Sequence, residues 1–205
     1  MNGAQLPSGP RRIGLFGGTF DPPHHGHLEA AKTAMGDLGL DVVVLVVAND
    51  PWQKTACGQD VTPAGIRLAM VRAAAEGLDG VEVDDLEIRR GGPSYTADTV
   101  DAYAADGPED QLFVLVGSDI APGLDRWVRP DEVRRRATIV VMDRPGYIGD
   151  RPPAGWDHVA LAGMFPDLAG TDVRTLLQNG ASAAGVVPGT VLELIFEHGL
   201  YGAHQ

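Results

Sequence analysis

Between Asp41 and Ala48 the chain reads DVVVLVVA, a near-continuous run of Val and Leu. A strand with one face in water alternates apolar and polar side chains. A strand that is apolar at every position must be covered on both faces, which is the condition of an interior strand in a parallel sheet. The run therefore calls for helices above and below the sheet, and the flanking sequence supplies them.

Ile13 to Phe16 is a short apolar run ending at Gly17-Gly18, and the Ala-rich segment Leu28 to Met35 follows it, so this part reads strand, glycine turn, helix. Thr62-Pro63 precedes AGIRLAMVRAAAEG, a helix with Pro near its first turn and Gly at its end. Val81 to Ile88 alternates and predicts a third strand, Thr96 to Ala105 a helix, and Gln111 to Val116 a fourth strand closing at Gly117. Pro130 to Arg136 predicts another helix, Thr138 to Met142 a fifth strand and Val159 to Ala162 a weak sixth. Helices over Asp172 to Gln178 and Val191 to Glu197 complete the chain, and RPGYIGDRPPAGW reads as a turn-rich loop. The alternation of strand and helix predicts a doubly wound parallel α/β sheet. Residues 12–205 are expected to form a single domain with a small helical C-terminal part at about 168–205. The polar, Gly- and Pro-containing residues 1–11 are expected to be a flexible extension.

Composition narrows the function classes. Sixteen Lys and Arg stand against 28 Asp and Glu, a formal net charge of -12, so the chain lacks the general basic footprint of a nucleic-acid or anionic-membrane binder. Any phosphate site has to be local. The apolar runs are far shorter than the roughly 20 residues that span a bilayer, so no membrane span is expected. The single Cys57 excludes an internal disulfide framework and agrees with a reducing cytoplasm. A homo-oligomer is the base-rate expectation.

The stretch that carries chemistry is Gly14 to His27, GLFGGTFDPPHHGH. Gly17 and Gly18 directly after a buried strand let backbone approach a ligand, and amides at the start of the next helix can hold phosphate oxygens, although such a turn is also a routine structural device. His24 and His27 lie three residues apart at the helix start and project from one face, so both can reach one phosphate. Two His without a third ligand do not make a zinc site. His25, between them, is expected on the helix surface.

These residues resemble a known family. GGTFDPPHHGH is similar to the GGxFDPxHxGH motif of the nucleotidyltransferase superfamily that includes nicotinate mononucleotide, nicotinamide mononucleotide and phosphopantetheine adenylyltransferases and cytidylyltransferases. The resemblance implies a Rossmann-like nucleotidyltransferase fold and in-line attack on an α-phosphate without a covalent intermediate. It implies that Thr19, His24 and His27 contact the triphosphate and stabilise charge developing on it. A later family element, ISSTxxR, is matched in part by LAGTDVR, Leu168 to Arg174. Thr171 and Arg174 occupy the family's Thr and Arg positions, while Ala169 and Gly170 replace hydroxyl residues. Arg174 is then expected to be bidentate on β or γ oxygens, alongside helix-start amides. Capping of the helix by Thr171 is compatible with that role.

RRGGPSYTADTV, FVLVGSDIAPGLDRW and VVPGTVLELIFEHGLY further resemble the nicotinate mononucleotide adenylyltransferase branch. By that resemblance ATP is bound by Gly17, Gly18, Phe20, Gly117, Asp119, Thr171 and Arg174, with Asp119 near a ribose hydroxyl. The acceptor is bound by Lys54, Ser94, Tyr95, Thr96 and Trp127, whose aromatic face suits a pyridine ring while backbone amides suit its carboxylate. Where many relatives carry a PPHK-like stretch, this chain has NDPWQK, so a His is missing, Trp52 and Gln53 stand in its place and Lys54 keeps the cation. Lys54 otherwise reads as a solvated loop lysine.

The expected reaction joins nicotinate mononucleotide to the AMP moiety of ATP and releases pyrophosphate. Mg2+ would be held mainly by ATP oxygens and water, since the sequence shows no carboxylate cage. The alternatives keep the chemistry on another acceptor (nicotinamide mononucleotide, phosphopantetheine or a specialised-pathway phosphate) or reduce the chain to a non-catalytic nucleotide-binding protein.

Overall fold

The computed structural model of the chain describes residues 9–161 and 169–203. β1 (Arg12–Gly18) leads into α1 (His25–Leu38) and β2 (Val42–Val47). A single helical turn, α2 (Trp52–Thr55), and α3 (Ala64–Ala75) precede β3 (Val81–Asp84). Then come α4 (Leu86–Arg90), α5 (Thr96–Asp106), β4 (Gln111–Gly117), a 3-10 turn at Ala121–Arg126, α6 (Pro130–Arg136), β5 (Ala137–Met142) and β6 (His158–Ala160). α7 (Gly170–Gln178), α8 (Gly189–Glu197) and a 3-10 turn at Leu200–Gly202 close the described chain.

All six strands run parallel in the order β3-β2-β1-β4-β5-β6. The run that demanded this arrangement behaves as its composition requires: every residue of β2 is buried. Val43, Leu45 and Val47 point into one apolar core with Ala31 and Ala34 of α1, Met70 and Val71 of α3 and Ile195 of α8. Val42, Val44 and Val46 point into the other, with Ala97 and Val100 of α5 and Val133 of α6. α1 stops at Gly39, whose φ of 57° closes the helix in the left-handed conformation and sends its N–H back to the Met35 carbonyl.

The third strand is shorter than the alternation predicts. β3 ends at Asp84, and Leu86–Arg90 is helical. Asp84 Oδ1 accepts the Leu86 N–H at 2.9 Å, a local side-chain bond that turns the chain out of the sheet, and its Oδ2 takes the Tyr103 hydroxyl at 2.8 Å. The turn carries Glu87 inward, where it is buried and accepts the Thr99 hydroxyl at 2.5 Å. The short helix α2 carries no apolar periodicity by which sequence could reveal it. α7 begins at Gly170, two residues before the expected Asp172, because Asp172 Oδ2 reaches back to the Ala169 N–H at 2.8 Å. Ala162, in the expected sixth strand, and Leu168, in the LAGTDVR segment, lie outside the described residues, as do residues 1–8. Arg11, just before β1, is tied to Asp110 through its backbone N–H and its guanidinium.

The consequence for a site is topological. The chain leaves β1 toward β2 and β3 on one side, then returns across to β4, β5 and β6 on the other. Strand order therefore reverses between β1 and β4, and a crevice opens outside the carboxyl ends of those two strands.

Candidate active site

A cavity of about 440 Å³ lies at that crevice. β1 delivers Gly17, Gly18 and Thr19 to it, and β4 delivers Gly117 and Asp119. Gly17 meets nothing within 4 Å of where a Cβ would stand, so its backbone faces open cavity. Gly18 has a different reason for being glycine, since a Cβ there would lie 2.8 Å from the Phe20 ring. Phe20 adopts a φ of 50°, a strained value for a bulky residue, and is 2% exposed. Its ring packs edge-on against His27, with centroids 4.9 Å apart, and against Phe16 at 5.8 Å. Phe20 borders the cavity mainly by holding His27.

His24 caps α1 with extended backbone, and His27 sits one turn later. Their rings stack, with centroids 3.7 Å apart and 29° between planes. The backbone N–H of His24 donates to His27 Nδ1 at 3.2 Å, which places the proton of the neutral His27 ring on Nε2. Two stacked rings cannot both carry charge cheaply, and burial adds to that cost. His24 is held down to about 4 by burial first and then by the Arg144 guanidinium, against an opposing pull from Asp172, with His25 adding a last, smaller push downward. His27 lies well below its ordinary value through burial, then through His24, Arg144 and Lys54. Both rings are neutral N–H donors at neutral pH. His25 is exposed, as its place between the two implies.

α7 brings Thr171 and Arg174 to the cavity from across the crevice. Arg174 Nη1 donates to the Asp21 carbonyl at 2.7 Å, and Nη2 to the Thr171 hydroxyl at 3.1 Å. Gly170 explains its own departure from the family pattern: a Cβ there would stand 2.8 Å from the Asp21 carbonyl oxygen, so only glycine lets this helix start so close to the β1 loop. Asp21 itself is buried, accepting the Tyr201 hydroxyl at 2.5 Å and the Thr62 N–H at 3.2 Å.

The remaining wall is aromatic and polar. Ser94 Oγ accepts the Asn49 N–H at 2.9 Å, which fastens the loop after β2 to the start of α5. Tyr95 meets Trp52 edge-on at 6.1 Å, and Thr96, Trp127 and Lys54 line the same space. Lys54 is lowered from its ordinary value by desolvation, then by Arg174, Arg67 and Arg144, against an opposing pull from Asp21. In a chain with excess acid, these mutually repelling cations are gathered at one crevice.

Every catalytic, ATP-side and acceptor-side residue expected from sequence thus borders this cavity. Sequence reasoning missed four others. Arg144, which also lines the cavity, hides at the head of the stretch that reads as a turn-rich loop, and its signal is its place two residues after a strand end. Glu87 falls where a strand was expected. Asp21 lies inside the recognised motif, yet its side chain works through Tyr201. Arg67 is 1% exposed and spends its guanidinium on the carbonyls of Thr19, Ala48, Asn49 and Thr62 at 2.7 to 3.1 Å. A buried arginine in an apolar helix pattern gives no sequence signal of its partners.

Among the described residues no three His, Cys, Asp or Glu side chains gather as metal ligands. The carboxylates at the cavity are engaged elsewhere: Asp21 with Tyr201, Glu87 with Thr99 and Asp119 with Arg144. The donor set fits a divalent ion that arrives on substrate oxygens.

Comparison with known proteins agrees with this geometry. Residues 15–176 match the family model described as Cytidylyltransferase-like. A protein of Gemmatimonas aurantiaca named "Probable nicotinate-nucleotide adenylyltransferase" is 40% identical over 197 residues, covering 93% of this chain and 92% of its own. One of the same name from Bacillus pumilus is 35% identical over 193 residues, covering 93% and 98%. The solved structure of Plasmodium falciparum nicotinic acid mononucleotide adenylyltransferase complexed with NaAD superposes with a TM-score of 0.75 over 95% of this chain and 98% of that one, at 14% identity, a likeness of fold. A polypeptide with this motif, this strand order and relatives of this identity along nearly its whole length belongs to the cytidylyltransferase-like family and, within it, to the nicotinate-nucleotide adenylyltransferases.

Proposed function

We infer that the chain, acting through residues 12–205 as one nucleotidyltransferase unit, joins nicotinate mononucleotide to the AMP moiety of ATP in NAD biosynthesis. The observation that carries the reading is the stacked His24–His27 pair sharing one cavity with Arg174 and Lys54 at the β1/β4 crevice. An oxygen of the acceptor phosphate attacks the α-phosphorus of ATP, the bond from that phosphorus to the α,β-bridging oxygen breaks, and pyrophosphate leaves with the electron pair. The products are nicotinate adenine dinucleotide and pyrophosphate.

The acceptor phosphate is already an anion, so no strong base is needed; the protein has to align two anions that repel each other and neutralise charge on the leaving group. Neutral imidazole N–H groups of His24 and His27, the Thr19 hydroxyl and the backbone at Gly17 and Gly18 serve the triphosphate. Arg174 and Thr171 hold its far end, and Gly117 and Asp119 face the nucleoside. Lys54, Ser94, Tyr95, Thr96 and Trp127 form the acceptor side. A Mg2+ ion, held mainly by ATP oxygens and water, would supply further neutralisation of phosphate charge. Among the described residues no helix is long and apolar enough to cross a membrane; a cytoplasmic setting with small-molecule substrates is part of the same proposal.

A pyrophosphate-release assay with ATP and a panel of nicotinate mononucleotide, nicotinamide mononucleotide and phosphopantetheine tests this. The acid mononucleotide is expected to have the highest kcat/KM. Preference for another phosphate would reassign the acceptor, and ATP binding without pyrophosphate release would remove the activity.

A further inference from the structure

Arg144 is the cation at the cavity for which no recognised motif accounts, and three consecutive residues at the end of β4 are arranged around it. Gly117 makes room for both members of a pair: a Cβ there would collide first with Asp119 Oδ1 and then press on Arg144 Cδ at 2.9 Å. Ser118, with 0% exposure, accepts the Arg144 backbone N–H on its hydroxyl at 2.9 Å, pinning the end of β5 to the end of β4. Asp119 Oδ2 meets its Nη1 at 3.3 Å. The first two contacts fix where the side chain starts. The third leaves it loosely held, since the pair makes one long contact and both side chains are about a third exposed (33% and 27%). Such a pair contributes little and exchanges readily. A phosphate, with several charged oxygens in a geometry that matches the guanidinium fork, is a stronger partner than this single carboxylate contact.

Its position points to the reacting end of the cavity. Arg144 lowers both His24 and His27 by its charge, so it stands within electrostatic reach of both imidazoles, on the β4/β5 side of the crevice opposite Arg174 of α7. We propose that Arg144 is a phosphate ligand of this site, seated by Gly117, Ser118 and Asp119, and that Asp119 is its resting counter-ion until a substrate phosphate displaces it. The proposal rests on the adenylyltransferase reading for the identity of the phosphate, which is either the triphosphate or the phosphate of the acceptor.

The test uses Arg144→Gln, Arg144→Lys, Asp119→Asn and, as a control for general loss of charge, Arg135→Gln on the exposed outer turn of α6. Calorimetry measures binding of inorganic triphosphate, which has no ribose for Asp119 to touch, and of nicotinate mononucleotide beside nicotinate riboside, which lacks the phosphate. Arg144→Gln is expected to weaken one of the two phosphate-bearing probes by about 10- to 100-fold, the range of a charge-assisted hydrogen bond, and to leave the riboside unchanged. The weakened probe identifies the phosphate. Arg144→Lys should fall between, because it keeps charge and loses the fork. If the triphosphate is the ligand, Asp119→Asn should bind it up to about 5-fold tighter, since the resting partner no longer competes. Binding of both phosphate probes by Arg144→Gln within twofold of wild type, or a loss equalled by Arg135→Gln, overturns the proposal. Wild-type protein that binds these probes but releases no pyrophosphate from ATP and acceptor overturns the adenylyltransferase reading instead.

Discussion

The backbone N–H of His24 donates to Nδ1 of His27, and the two imidazoles stack at 3.7 Å. One hydrogen bond therefore sets both the tautomer and the aim of His27, leaving Nε2–H as the group it can offer to a phosphate. His27→Gln should lower kcat by about 100- to 1,000-fold, the usual cost of losing one aligned donor to a transition-state oxyanion. KM and the folded far-ultraviolet spectrum should change little. Steady-state pyrophosphate release checks this, and a variant with more than a third of wild-type kcat would remove His27 from the chemistry.

Acid should weaken the ligand-free protein through His24. Its folded value of about 4 lies below the ordinary 6.5, so as pH falls the unfolded chain takes up the proton first. Stability is complete above pH 6.5, declines between 6.5 and about 4 and flattens below, a loss of about 3 kcal/mol from this residue. Urea titrations at pH 7.5, 5.5 and 4.5 should show a steeper decline for wild type than for His24→Asn, and equal slopes would refute the assignment. A bound triphosphate supplies the counter-charge that the pocket lacks and should raise both imidazoles. Binding near pH 5 is then accompanied by proton uptake, visible as a dependence of calorimetric enthalpy on the buffer's ionisation heat.

What could be read in advance follows from how local each signal is. The all-buried β2 run and the strand-glycine-helix passage around Gly17 are contiguous, so their physics is written in one short window. β3 misled because the decisive interaction, Asp84 turning the chain while Tyr103 and Thr99 hold the turn, joins positions up to 19 residues apart. The motif residues announce themselves by type and spacing. Arg67 and Arg144 act through contacts made only when α3 and β5 are in place; Arg67 carries no local mark in its apolar helix pattern, and Arg144 is marked only by standing two residues after the end of β5.

Gly170 offers a prediction opposite to what motif matching suggests. Restoring the family hydroxyl with Gly170→Ser would set a Cβ 2.8 Å from the Asp21 carbonyl, a backbone atom that cannot swing aside. The start of α7 would have to retreat, and with it the Arg174 guanidinium that the same carbonyl holds at 2.7 Å. The cost should be about 1 to 3 kcal/mol of stability, as for other overpacked sites, with weaker triphosphate binding. Thermal unfolding and ATP calorimetry on Gly170→Ser check this, and unchanged values would mean that the helix start is compliant.

Arg67 fastens the loops on both sides of the crevice. Its donors reach Thr19 on the triphosphate side, Ala48 and Asn49 on the acceptor side and Thr62 before α3, all from one side chain that is 1% exposed. Burial disfavours its charge, and Asp21 and Tyr201 oppose that effect from nearby. Arg67→Met fills much of the volume yet leaves several carbonyls without donors, each costing about 1 to 3 kcal/mol where water cannot replace the bond, so a total loss of at least about 3 kcal/mol is expected. Arg67→Lys keeps the charge but cannot span four acceptors in three segments. It should fold with reduced stability and raise KM for both ATP and acceptor together, because the loops that meet them share this one fastening. Urea unfolding reads the first effect and steady-state kinetics the second. If Arg67→Lys raised KM for only one substrate, the guanidinium would be supporting a single loop, and the two halves of the cavity would be held independently.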